Sequence, residues 1–231
     1  KRLSYSQTII SILIYYITNG GELYMYFKTV SLDTIDPIKK VRELNRFLNK
    51  FDYGFVSPQC IRVKSPNGDQ WSQYRTESPM VFEQYKIGTC WDFAEYEAFW
   101  FKKNMKNFSF TNSKGLKNYQ WSLYYNVRQK QNSNNQVSTH TWLAFGYDNK
   151  VYTIESAWGS HMGIKVHDNE ISMVQWYQNN LIGKNIYQYN YYTCKYSMIN
   201  KYGLTPQEYM NHMNKKGNII YIKGWSLSDI K

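Results

Sequence analysis

Apolar positions recur at three- and four-residue spacing between residues 36 and 50. Ile38, Val41, Leu44, Phe47 and Leu48 fall on one face, with Asp36 placed as N-cap and Pro37 at the first helical position. The pattern predicts a helix that stops before FDYGF, where Gly54 permits a turn. Residues 90–103, CWDFAEYEAFWFKK, predict a second helix. Phe93, Ala94, Glu97, Ala98, Trp100 and Phe101 gather most of its apolar bulk on one wide face. Asp92 and Glu95 in its first turn and Lys102 and Lys103 in its last suit the helix dipole. Gly88 just before it allows a sharp entry.

Elsewhere the period changes. THTWLAFGY (139–147) and KVYTIESAW (150–158) are β-rich runs, and Asp148-Asn149 between them suits a tight two-residue hairpin turn. Residues 169–182 predict a helix capped by Asn169, residues 186–198 a strand, and residues 218–225 a final strand. Thr205-Pro206-Gln207-Glu208 is a capping box that opens a helix to about residue 216. Residues 57–75 and 128–136 are polar and predict loop, the first with a hairpin as the alternative. The N-terminal run from Ile9 to Ile17 after Lys1-Arg2 has the outline of a signal peptide, but no small-x-small cleavage site follows it. It reads instead as a core helix or strand. The expected organisation is a single domain over 1–231 with a core at about 33–200 and extensions at 1–30 and 200–231.

Composition narrows the class. Apolar residues make up 42% of the 231 residues and aromatic residues 18%, with 23 Tyr, which excludes intrinsic disorder. No apolar run reaches the length of a bilayer-spanning helix. Three cysteines, Cys60, Cys90 and Cys194, exclude a disulfide scaffold and a paired-Cys zinc module. The net charge of +11 invites a polyanion partner. Lys outnumbers Arg 22 to 6, however, beside 22 Asn and only 4 Ala. That bias fits an AT-rich coding sequence and needs no nucleic-acid partner. The few cysteines and the missing export signal point to a cytoplasmic or phage-associated setting.

Cys90 carries the candidate chemistry. A thiol at a helix N-terminus faces unpaired backbone N–H groups and the positive end of the dipole, which favour a nucleophilic sulfur and an oxyanion beside it. Cys60 and Cys194 lack that placement. Among His140, His161, His167 and His212, only His140 opens a strand of the hairpin. With Asp148-Asn149 as turn, His140 lies opposite Ala157, and Glu155 is its diagonal neighbour on the same face, roughly 5.5–8 Å away between Cα atoms. Glu155 interrupts an apolar strand and so needs a partner, either His140 or one of the many lysines. A one-residue slip would turn it to the other face.

These residues resemble the transglutaminase-like branch of the papain-like superfamily. The resemblance rests on GTCWDFAEYEAFWF, THTWLAF and YTIESAW, and covers about 80–180. It implies an α+β fold in which a Cys-bearing helix packs on an antiparallel sheet carrying His and acid. Cys90 would be nucleophile, His140 general base and acid, and Glu155 the orienting group, in a place where the superfamily more often has Asp. Gln84, six residues before Cys90, has the spacing of the papain-like oxyanion glutamine. Trp91, Trp142 and Trp158 flank the three positions, as core packing or as walls of an acyl pocket. The implied activity is acyl transfer or hydrolysis of an amide or peptide bond in a protein or peptide substrate, with no metal and no cofactor. Two other readings stay open: an inactive structural or interaction module on the same fold, and a basic nucleic-acid-binding protein.

Overall fold

The computed structural model describes residues 10–19, 22–31, 37–105, 120–131 and 137–230. The chain divides into two compact units, residues 1–41 and 42–231. In the first, strands β1 (Ile10–Asn19) and β2 (Glu22–Ser31) form an antiparallel hairpin whose register runs from Ile10↔Ser31 to Asn19↔Glu22. The apolar run expected as helix or strand is therefore a strand; Ile9 lies outside the described residues.

Helix α1 (Pro37–Leu48) follows, with Ile38, Val41, Leu44 and Leu48 buried as the periodicity predicts. Asp36, expected as its N-cap, lies outside the described residues. Strand β3 (Asp52–Val56) pairs antiparallel with β4 (Arg62–Lys64) and parallel with β5 (Ile87–Gly88). The polar stretch after residue 57 thus contains one arm of a hairpin. Gly54, at φ +154°, has no room for a side chain, because a Cβ there would stand 2.0 Å from the Val63 carbonyl oxygen. Helix α2 (Pro79–Tyr85) is capped by Ser78, whose hydroxyl accepts from the Val81 N–H, and stops at Lys86 in the left-handed conformation.

Helix α3 (Cys90–Asn104) lies beside a six-stranded antiparallel sheet built from β6 (Trp121–Lys130), β7 (Ser138–Tyr147), β8 (Lys150–Glu155), β9 (Gly163–His167), β10 (Tyr189–Tyr196) and β11 (Asn218–Lys223). The strand order is β11-β10-β6-β7-β8-β9. The fold is α+β. Phe101 of α3 meets Phe145 on one sheet face, with ring centroids 5.0 Å apart. Helix α4 (Glu170–Ile182) covers the other face, where Met173, Val174 and Tyr177 pack with Tyr124, Trp142, Ala144 and Val151. Tyr177 stacks on Trp142 at 3.7 Å.

The C-terminal residues supply α5 (Pro206–Lys216), opened by the expected Thr205–Glu208 capping box, and the sheet-edge strand β11. Asn169 caps α4 as expected. Among the described residues no helix is long and apolar enough to cross a membrane.

Candidate active site

The β7–β8 hairpin has the register expected from its turn. Tyr147 pairs with Lys150 and Leu143 with Ile154, and Asp148 and Asn149 both take positive φ. Two consecutive left-handed residues give a turn whose twist matches that of the strands. The β7–β8 ladder ends at Leu143↔Ile154, so residues 138–142 run on paired to β6 alone. His140 stands on this free stretch, opposite Asn126 of β6. The open flank of β7 is where the α3 N-terminus and the end of β8 reach the ring.

Glu155, 1% exposed, accepts four hydrogen bonds. One carboxylate oxygen takes the His140 ring nitrogen Nε2 at 2.8 Å and the Tyr177 hydroxyl at 3.4 Å. The other takes the backbone N–H groups of Ala157 at 3.1 Å and Trp158 at 2.9 Å. Its partner is thus His140 and not a lysine. The backbone N–H groups of residues 157 and 158 can both face the carboxylate because the chain bends after β8. That turn is itself held by Asn45 of α1, whose side-chain amide donates to the Glu155 carbonyl and to the Ser156 hydroxyl. Ser156 donates in turn to Glu97 of α3 at 2.7 Å.

Cys90 occupies the first position of α3. Thr89 is the N-cap; its N–H donates to Asp92, and Asp92 also accepts from the Glu77 N–H and the Tyr74 hydroxyl. Asp92, expected in the first turn as a complement to the helix dipole, is also a buried clamp that fixes the angle at which Cys90 enters. Gly88 is needed for close approach and not for a turn: a Cβ there would lie 2.4 Å from the Phe82 ring and 2.9 Å from the Asp92 Cβ.

The Cys90 thiol lies within hydrogen-bonding reach of the His140 imidazole. Since Nε2 is engaged by Glu155, the ring presents Nδ1 to the sulfur. Burial opposes the charged ring, but the charge of Glu155 and the hydrogen bonds to Cys90 and Glu155 outweigh it and raise His140 to about 10. An imidazolium and a helix N-terminus therefore converge on the sulfur.

Sequence reasoning missed Tyr53. Its β3 position is paired with Gly88 of β5, which brings its hydroxyl close to the Cys90 sulfur and backbone N–H. Burial, then the charges of Cys90 and Asp92, push this phenol well above its ordinary value. The residue as a whole is 41% exposed, so the ring opens to solvent while its hydroxyl points inward. Nothing in FDYGF signals this, because the placement depends on a parallel pairing between residues 35 positions apart.

Gln84, expected as an oxyanion donor, lies exposed on α2 and makes no hydrogen bond among the described residues. The three tryptophans separate. Trp91 is buried and stacks on Tyr209 at 4.9 Å, which is core packing. Trp142 and Trp158 flank the imidazole, with ring centroids 6.0 and 5.6 Å from it; Trp142 is buried and Trp158 half-buried.

The remaining histidines stand apart. His167, on β9, is pulled down to about 4 chiefly by burial, and His161 packs against Trp158 at 3.9 Å. Cys194 is buried in β10 and pushed up to about 11 by burial; Cys60 is exposed. Among the described residues no group of three or more His, Cys, Asp or Glu is arranged to hold a metal ion. No protein-family model matches this chain, and neither the curated proteins nor the solved structures provide a match to it.

Proposed function

We propose that the protein is a cysteine-dependent acyl-transfer enzyme of the transglutaminase-like kind that hydrolyses an amide or peptide bond. The observation that carries the reading is a single chain of contacts: Cys90 at a helix start, against His140, against a buried and fully hydrogen-bonded Glu155.

The Cys90 sulfur attacks the carbonyl carbon, forming a C–S bond and pushing the π electrons onto oxygen. Positive potential from the imidazolium and the α3 N-terminus lies where the negative charge starts. The Cys90 N–H is one oxyanion donor, and Tyr53, which covers that N–H, yields it or adds its own O–H. Collapse breaks the C–N bond as His140 gives its proton to the leaving amine. Water then attacks the thioester, passing its proton to His140, and releases the acid and the free thiol. Glu155 touches no reacting atom; it holds the ring and its charge. Hydrolysis is preferred to transamidation because nothing in the site marks a place for an acceptor amine.

The test is acyl trapping. A panel of electrophilic peptide and amide probes, read by mass spectrometry, labels wild type at Cys90 and leaves Cys90→Ala unlabelled there. Labelling confined to Cys60, or none at Cys90 across the panel, contradicts the reading.

A further inference from the structure

Arg128 and Lys130 of β6 share a sheet face with His140, and Arg128 is the nearer of the two by register. Asn126 is paired with His140 and Arg128 with Ser138, so the four residues form adjacent corners of one patch. The Arg128 guanidinium donates to the Asn126 side-chain oxygen at 3.4 Å. Asn126 is buried, Arg128 is half-buried, and Ser138 beside it is exposed, so the patch opens outward next to the imidazole. Arginine is rarely withdrawn from water without an acid to pair with. Here no carboxylate among the described residues makes an ion pair with it, whereas Arg62, Lys64, Lys150 and Lys195 all have one.

Burial also pulls the guanidinium below its ordinary value. Of the groups that work against that pull, Cys90 comes first, followed by Tyr189 and Tyr53. The guanidinium is therefore electrostatically coupled to the nucleophile and to the Tyr53 phenol on the site's open side. A planar, permanently charged fork with five donors is suited to a carboxylate.

The geometry points to Arg128 as a specificity residue that binds an anionic group, a carboxylate, on the substrate beside the carbonyl that Cys90 attacks. This rests on the reading of Cys90 as nucleophile. It deepens that reading by naming the substrate class: acyl groups that carry a carboxylate close to the scissile amide, as an acidic residue does.

Paired alkylation separates the two claims. Iodoacetate and iodoacetamide both form an S–C bond at the thiolate with loss of iodide, and differ in one carboxylate. The rate of each at Cys90 is measured by site-resolved mass spectrometry in wild type, Arg128→Gln, Arg128→Lys and a control whose charge is already ion-paired, Arg62→Gln. Arg128 acting only on the sulfur's reactivity changes both rates equally; Arg128 binding the reagent's anion changes only iodoacetate. The expected result is a fall of roughly five- to tenfold in the iodoacetate-to-iodoacetamide ratio in Arg128→Gln, the scale of one half-buried charge contact. Arg128→Lys keeps part of the ratio and Arg62→Gln keeps all of it. A ratio unchanged in Arg128→Gln, or lowered as much in Arg62→Gln, overturns the Arg128 assignment alone. Cys90 reacting no faster than Cys194 with either reagent in wild type overturns the nucleophile reading beneath it. Should Arg128→Gln fail to fold, Arg128→Lys with a ratio indistinguishable from wild type across increasing salt, where a bound anion must be screened, overturns the assignment.

Discussion

Glu155→Gln is the sharpest perturbation of the site, because everything around that carboxylate is a donor. His140 Nε2 and the Tyr177 hydroxyl face one oxygen, and the Ala157 and Trp158 amides face the other. Glutamine supplies one acceptor oxygen in place of two, so its NH2 must confront one pair of donors. If it confronts the backbone pair, two buried N–H groups lose their acceptor, at about 1–3 kcal/mol each. If it confronts His140, the ring must offer a lone pair at Nε2 and carry its proton on Nδ1, pointing at the sulfur. That tautomer cannot take the thiol proton, and the corresponding change in serine hydrolases costs about 10⁴ in turnover. Either way the negative charge is gone. His140, held at about 10 in the intact site, falls, since only the Cys90 contributions are then left to oppose burial. At 1.36 kcal/mol per tenfold change, the rise from 6.5 to about 10 corresponds to about 5 kcal/mol, shared between Glu155 and Cys90 net of burial. Ring-proton NMR titration gives the His140 value directly, and iodoacetamide alkylation at pH 7 gives the reactivity of Cys90. The expected outcome is a His140 that is neutral at pH 7.5 and alkylation slowed by roughly two to four orders of magnitude. A variant whose ring still titrates near 10, with alkylation at the wild-type rate, refutes the reasoning.

Other outcomes follow from the surroundings of the site. Gly88→Ala forces a methyl group into the Phe82 ring and the Asp92 Cβ, so it costs about 1–3 kcal/mol; a thermal midpoint within 1 °C of wild type, on a scale where about 2–4 °C accompanies each kcal/mol, contradicts the packing argument. Glu97 is buried and its carboxyl is pushed well above the usual range, chiefly by burial, which favours its neutral form. Glu97→Gln is therefore expected to stay within about 1 kcal/mol of wild type in chemical denaturation, while Glu97→Ala, which opens a cavity and strands Ser156, costs about 2 kcal/mol or more; equal losses contradict this. Burial also raises Glu77 to about 9, Glu95 to about 7 and Asp92 to about 6. A group whose folded value is raised contributes stability that is complete below its unfolded value and is lost as pH rises through the folded one. The raised His140 works in the same direction. The thermal midpoint is thus expected to fall by roughly 5–10 °C between pH 5.5 and pH 9, and a flat or rising profile in calorimetry counts against the burial of these acids.

The parts of the site legible in the sequence are those fixed by local rules. A two-residue turn dictates the pairing from Tyr147↔Lys150 to Leu143↔Ile154, and a period of two carries the shared face on to His140 and Glu155, although the ladder stops before the expected pairing of His140 with Ala157. The capping boxes at Thr205 and Asn169 are likewise local. Features that depend on distant pairing were not legible. Tyr53 reaches Cys90 because β3 lies beside β5, Asn45 reaches Glu155 because α1 ends near β8, and Gln84 turns outward because α2 offers that face to solvent. In α3 the sequence shows Asp92 and Glu95 suiting the helix dipole and Glu97 on the wide apolar face, but not the buried donors that each finds in other segments. Ile199 and Tyr209 supply Glu95, Ser156 supplies Glu97, and Glu77 and Tyr74 supply Asp92.

Limited alkylation tests the central claim most directly. Cys60 is exposed, whereas Cys90 is 6% exposed and Cys194 1%. Access alone therefore ranks Cys60 first. A working Cys90–His140–Glu155 arrangement reverses the first two, so substoichiometric iodoacetamide at pH 6.5 with site-resolved mass spectrometry is expected to modify Cys90 well ahead of Cys60 and Cys194. Modification that follows exposure, with Cys60 first and Cys90 no faster than Cys194, contradicts the account.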